Sequence, residues 1–202
     1  FLGITAKYIE EDNSSYPIYL LSKLASKNVN IALTGDGGDE LFGGYTTYQA
    51  DTINHIIKPI IPLIKNSIFQ KSIIKITSNK NDKLGFATKM NRFLNGIDKD
   101  IQKAHYQWKL IFNPQKRVSL LGEEYKELIY DTDPFYKFQK FYHQVPHLEL
   151  KDQLIFVDMK TWFADNNLIK LDRSTMAYSL ETYSPFLDKN LFKYVAACPS
   201  KF

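Results

Sequence analysis

The run Thr34-Gly35-Asp36-Gly37-Gly38-Asp39-Glu40-Leu41-Phe42-Gly43-Gly44-Tyr45 holds five of the chain's nine glycines, together with three acids. Glycine loses more backbone freedom on folding than any other residue, so such a run is ill suited to the interior of a strand or helix. It reads as a sharp turn that needs left-handed backbone or close approach of a ligand. Before it, Val29, Ile31 and Leu33 alternate with small or polar residues, which reads as a short buried strand over 29–34. Before that, residues 15–28 read as a helix: Ser15 is a plausible N-cap, Pro17 is tolerated in the first turn, and Asn28 is a stop. Helix, strand, glycine-rich turn, helix is the layout of an α/β sheet whose ligand edge lies at the strand's carboxyl end.

A turn of successive N–H groups leading into a helix attracts anions. Asp36, Asp39 and Glu40 would repel a phosphate placed there, unless a divalent cation, usually magnesium, bridges carboxylate and phosphate oxygens. The plain alternative is a capped helix start in which Asp39 and Glu40 match the helix dipole. No lysine follows the glycines, so the run is not a Walker-type phosphate loop. Glu40 stands where the dinucleotide fingerprint needs its third glycine.

Beyond Tyr45 the pattern is helical. Candidate helices cover 48–58, 62–77, 84–95, 99–111, 122–130, 134–143, 148–164, 166–178 and 188–197, punctuated by Pro59, Pro62, Pro114, Pro134 and Pro146. The fold class expected is therefore α/β at the nucleotide edge, with a predominantly helical remainder and few strands. One strand cannot satisfy its own backbone groups, so its partners come from weakly patterned stretches such as Leu2–Tyr8 or from outside the chain.

Composition narrows the setting. The 202 residues suffice for a packed core, and a single Cys198, read as a core residue, excludes an intramolecular disulfide framework. No apolar run approaches the roughly 18 residues of a membrane span, and no targeting signal is visible, so the expected setting is cytoplasmic without a membrane partner. The net charge is +4, with seven basic residues against Asp82 alone over 65–92. Aromatics are sparse in that stretch, so a solvated helical face is expected there and no nucleic acid partner. His143 and His147 have metal-ligand spacing, but Pro146 interrupts a shared helix and no third ligand is near in sequence. Trp108 and Trp162 fall in helical patterns and read as core.

The segment Leu33 to Tyr45 closely resembles the synthetase domain of glutamine-hydrolysing asparagine synthetases. A second block is similar too: Leu171-Asp172-Arg173-Ser174-Thr175-Met176-Ala177-Tyr178-Ser179-Leu180-Glu181, continuing to Pro185-Phe186-Leu187-Asp188. The helix Tyr19-Leu20-Leu21-Ser22-Lys23-Leu24-Ala25 also fits, whereas residues 50–150 match weakly. The resemblance implies a parallel-sheet, ATP-pyrophosphatase-like core in the full domain. It divides the chain into residues 1–47, half of the nucleotide site, and residues 48–202, a mainly helical region carrying the second block.

The same resemblance implies ATP and Mg2+, adenylation of the aspartate side-chain carboxylate with release of pyrophosphate, and attack by ammonia from a separate glutaminase domain. Thr34, Gly35, Gly37 and Gly38 would lie against ATP, and Asp36 and Asp39, the catalytic candidates, would hold the magnesium-bound phosphates. Glu40, Asp172, Arg173 and Glu181 either meet substrate or order the site. Tyr183 stands where the family usually carries arginine, which leaves the acceptor open between aspartate and another carboxylate such as a uronic acid sugar. A non-catalytic helical binding module that keeps the fold is the rival from another class, and a homo-oligomer is compatible with the sequence.

The serine- and glycine-rich pyrophosphate loop, a downstream lysine and the nucleophilic cysteine of the glutaminase domain have no counterpart in the chain, which is therefore expected to be an excerpt. The isolated 202 residues should be catalytically inert. Aspartate-dependent exchange of pyrophosphate into ATP, measured on them alone, would overturn that expectation.

Overall fold

The computed structural model describes residues 14–57, 59, 61, 93, 94, 96, 97, 100–110, 112 and 114–198. In chain order these form α1 (Ser15–Ala25), β1 (Ile31–Leu33), α2 (Gly38–Phe42), α3 (Thr46–Ile57), α4 (Ile101–Lys109), α5 (Pro114–Leu121) and a 3-10 turn (Glu123–Tyr125). Then follow α6 (Lys126–Asp131), α7 (Phe135–Tyr142), α8 (Leu150–Asp158), a π-helical stretch (Met159–Leu168) and α9 (Ile169–Met176). The chain closes on β2 (Glu181–Tyr183), a second 3-10 turn (Pro185–Leu187) and α10 (Lys189–Ala196). The described part is mainly helical with one two-stranded sheet. None of its helices is long and apolar enough to cross a membrane.

Residues 1–44 with 141–202 form one compact unit, and residues 45–140 form another. In the first, β1 and β2 pair in parallel, with Ile31 opposite Glu181, Ala32 opposite Thr182 and Leu33 opposite Tyr183. Thr34 N–H donates to Tyr183 O at 2.9 Å, and Glu181 N–H to Asn30 O at 2.9 Å, so the ladder runs one step beyond each strand end. Leu154, Val157, Phe163 and Leu180 are buried in this unit, as is the polar Asp158. In the second unit Tyr48 and His105 stack at 5.7 Å, and Trp108 donates from Nε1 to Phe93 O at 3.2 Å. Ile61, Leu94 and Ile97 pack together as a small apolar cluster there.

Several sequence expectations need correction. The strand is not buried: Ile31 is 54% and Leu33 74% exposed, and Ala32 points to the more protected side. The alternation was real, but its apolar set lies on the open face. A partner of β1 does come from a weakly patterned stretch of the chain, Glu181–Tyr183, which pairs with it in parallel. Leu2–Tyr8 lies outside the described residues. Pro114 opens a helix, the position where its missing N–H costs nothing. The expected helix over 122–130 begins as a 3-10 turn after Gly122, whose φ of +107° breaks the run. The two helices expected over 148–164 and 166–178 are one continuous rod through the π stretch. Cys198 is exposed beyond the last turn of α10. Residues 62–77 and most of 84–95, with the basic stretch they carry, lie outside the described residues.

Packing of α1 along α9 closes the first unit. Lys170 Nζ donates to Ser14 Oγ at 2.6 Å, and the Tyr19 and Tyr178 rings meet at 5.0 Å. Donation of its hydroxyl to Tyr19, with some desolvation, pushes the Tyr178 phenol up to about 12 from an ordinary 10.0. A raised phenol favours the folded state in its protonated form, so this contribution is complete below pH 10 and disappears as pH rises through about 12. An alkaline absorbance titration should therefore show one late phenolate step that returns to the ordinary phenol range in Tyr19→Phe. A late step that persists in that variant would contradict the contact.

Candidate functional site

At the carboxyl end of β1 the chain enters the glycine turn. Gly38 N–H bonds Gly35 O at 3.2 Å, and Leu41 N–H bonds Gly37 O at 2.9 Å, which closes the reversal and starts α2. Gly37 has φ +89°, which favours glycine, and a Cβ there would lie 2.5 Å from Leu187 Cδ2, so a side chain would also have to displace Leu187. Nothing lies within 4 Å of the place a Cβ of Gly35 would occupy. That flank of the turn is open to an incoming group.

The three acids of the turn separate. Asp36 is half-buried and Asp39 exposed, whereas Glu40 is only 2% exposed and engaged within the protein. One Asp39 carboxylate oxygen fills the space a Gly44 side chain would need, and Gly44 N–H bonds Asp39 O at 3.0 Å. Gly44 therefore sets where the Asp39 carboxylate rests. Because α2 is a single short turn of five residues, its dipole is small and the loop amides and carboxylates carry the local electrostatics.

The second block comes to the same place. Thr34 Oγ1 and Ser184 Oγ share a hydrogen bond at 2.6 Å. Phe186 lies 3.5 Å from the Cβ position of Gly38 and meets Phe42 edge-to-face at 6.0 Å. Asp188 caps α10, accepting from Asn190 N and Leu191 N at 2.9 Å each. The Pro-Phe-Leu-Asp corner thus buttresses the glycine turn on one side and starts a helix on the other. At the carboxyl end of β2, Leu168, Asp172, Thr182, Tyr183, Ser184 and Leu187 are among the residues that line a cavity of about 490 Å³.

Thr34, Gly35, Asp36, Gly37, Gly38 and Asp39 accordingly share one sheet edge, and Asp172 lines the cavity beside it. Arg173 is exposed and does not line that cavity. Glu181 starts β2, opposite Ile31, so it sits at the amino ends of both strands, away from the turn. Sequence reasoning gives no separate role to Ser184, Leu187 or Gly44: Leu187 lies within the second block, Ser184 lies between its two parts, and Gly44 is one of the five glycines of the turn.

Among the described residues no group of three His, Cys, Asp or Glu side chains could hold a metal ion. Asp36, next to Gly35 in the turn, and Asp39, whose carboxylate rests against Gly44, nevertheless offer hard carboxylate oxygens. That donor set suits a magnesium ion whose remaining ligands are water and ligand phosphates.

The family model described as asparagine synthase matches residues 6–202. Over 195 residues the chain is 29% identical to asparagine synthetase [glutamine-hydrolyzing] 1 of Bacillus subtilis, covering 94% of this chain and 28% of that protein. It is 26% identical over 201 residues to a putative asparagine synthetase [glutamine-hydrolyzing] of Mycobacterium tuberculosis H37Rv, covering 96% of this chain and 28% of that one. A 51-residue stretch is 47% identical to putative asparagine synthetase [glutamine-hydrolyzing] 2 of Methanocaldococcus jannaschii, covering 23% of this chain and 10% of that protein. The chain thus spans 28% of the length of the first two curated relatives. No solved structure matches it.

The hydroxyl pair offers a direct test of the junction. In a double-mutant cycle of Thr34→Val and Ser184→Ala, urea unfolding should give a coupling of about 1 kcal/mol. Additive effects would show that the two segments do not meet through these hydroxyls.

Proposed function

Because the chain belongs to the asparagine synthase family, we propose that the protein carrying it amidates the aspartate side-chain carboxylate at the expense of ATP. The carboxylate oxygen attacks the α-phosphorus, pyrophosphate leaves, and the resulting acyl-adenylate is attacked by ammonia derived from glutamine in another domain. Asparagine and AMP are the products. The observation that carries this reading is the juxtaposition of the two synthetase-like segments at one sheet edge, with Thr34 and Ser184 hydrogen-bonded at 2.6 Å.

In this reading the backbone of Gly35, Gly37 and Gly38 lies against the nucleotide, and the open flank at Gly35 leaves space for it. Thr34 directs its hydroxyl along the same edge, held by Ser184. Asp36 and Asp39 would hold magnesium, which when bound supplies positive charge against the growing charge of the leaving pyrophosphate. Asp39 keeps its carboxylate in the pocket left by Gly44. Glu40, buried beneath the turn, orders it instead of meeting the ligand. Asp172 faces the cavity in which an acceptor would sit, whereas Arg173 and Glu181 take ordering roles. Such an enzyme would work in the cytoplasm, without a nucleic acid or membrane partner, and is compatible with a homo-oligomer.

Tyr183 favours keeping one second reading. It lines the acceptor-side cavity at a position where arginine is expected by resemblance, so a neutral phenol there suits a different carboxylate, such as that of a uronic acid sugar.

The test uses the protein in its natural reading frame. Aspartate-dependent exchange of pyrophosphate into ATP should fall about a hundredfold or more in Asp36→Asn and in Asp39→Asn, the scale of losing a fixed electrostatic group at a reacting centre. Exchange supported by a uronic acid sugar but not by aspartate would select the second reading. Exchange untouched by both substitutions would remove the site assignment.

A further inference from the structure

The unit formed by residues 45–140 has a cavity of its own, of about 250 Å³, which the proposed nucleotide chemistry does not use. Its wall sets Lys103, Tyr106, Arg117 and Asp133 among apolar surface that includes Ile129 and Phe135. The sequence explains the gathering. Helix α4 supplies Lys103 and Tyr106 one turn apart, α5 supplies Arg117, and the Thr132–Pro134 link between α6 and α7 supplies Asp133.

The charges of this wall are incompletely matched. The Asp133 carboxylate accepts the Phe135 N–H at 3.0 Å, a local cap for the start of α7. Lys103 Nζ lies 5.8 Å from the centre of the Phe135 ring. Arg117 Nε is buried without a hydrogen-bond partner among the described residues. A guanidinium with a buried N–H left unmade is costly, and its planar fork matches the paired oxygens of a carboxylate or a phosphate. Two cations against one carboxylate leave room for a single negative charge, and a doubly charged phosphate would meet Asp133. The aromatic side is already ordered: the Tyr106 ring meets Phe135 at 5.6 Å and Phe138 at 4.8 Å.

We propose that this cavity binds a small organic monocarboxylate with a flat apolar body. The carboxylate pairs with Arg117 and Lys103, and the body lies against Tyr106, Ile129 and Phe135. Burial first, and Asp133 second, push the Tyr106 phenol up, with Arg117 opposing. A phenol is a hydrogen-bond donor at neutral pH with or without that shift, and adds to the carboxylate's recognition. This inference does not depend on the reading of the glycine turn.

The probe is phenylacetate, followed by saturation-transfer NMR on the protein carrying this chain, with phenylacetamide as its neutral counterpart. Phenylacetate should bind with a dissociation constant on the order of 1 mM, as befits a ligand of few atoms. Loss of one charge-assisted pair should weaken it about tenfold in Arg117→Gln, and the amide should bind the unaltered protein about tenfold more weakly than phenylacetate. If circular dichroism shows that Arg117→Gln does not fold, Lys103→Gln at an exposed position decides, with about threefold weakening expected. No saturation transfer to phenylacetate, or equal binding of acid and amide, or equal binding by the folded variants, would overturn the proposal.

Discussion

The parallel pairing of Ile31–Leu33 with Glu181–Tyr183 is the constraint on which the described site depends. It is only three residue pairs long, so it gains little from hydrogen bonds alone and is fixed by what flanks it. Thr34 extends the ladder through its N–H and locks the register through its hydroxyl to Ser184. Leu187 and Phe186 then press on Gly37 and Gly38, which gives the turn a rigid back wall. Without that wall a run of glycines would sample many conformations and present its amides in no fixed direction.

Helix phase sorts the carboxylates of the turn. Neighbouring helical residues point about 100° apart, so Asp39 and Glu40 meet opposite environments although they are adjacent. Asp39 leans toward Gly44 at the surface, while Glu40 goes inward and is satisfied there. A dense acidic run thus presents fewer free carboxylates to a ligand than its composition suggests, which eases the repulsion that three of them would impose on a phosphate.

The parts of this arrangement that were legible in the sequence are those set by local chemistry. The glycine turn, β1 before it and α1 before that follow from residue type and spacing. What escaped was set at long range. Glu181-Thr182-Tyr183 has a charge, a β-branched residue and an aromatic in three positions, too short a run to show a period, and it is a strand because Asn30 to Thr34 pairs with it. The alternation of Ile31 and Leu33 revealed a strand but not which face was covered, because that depends on neighbouring layers. The rod from Leu150 to Met176 has no proline or glycine to mark the π stretch, and a change from i−4 to i−5 bonding leaves no signature in composition. Ser184 and Gly44 became meaningful only once their contacts were known.

The bond between Thr34 and Ser184 joins residues 150 apart in sequence, and the unit that contains it is interrupted by residues 45–140. A ribosome therefore makes the glycine turn long before it makes the strand that aims it. During that interval the middle unit can assemble from its own nearer contacts, while the turn waits as an unaligned loop. Closing so long a loop costs entropy, but the cost grows only with the logarithm of its length. The order of synthesis thus keeps the glycine turn from its final setting until β2 has been made.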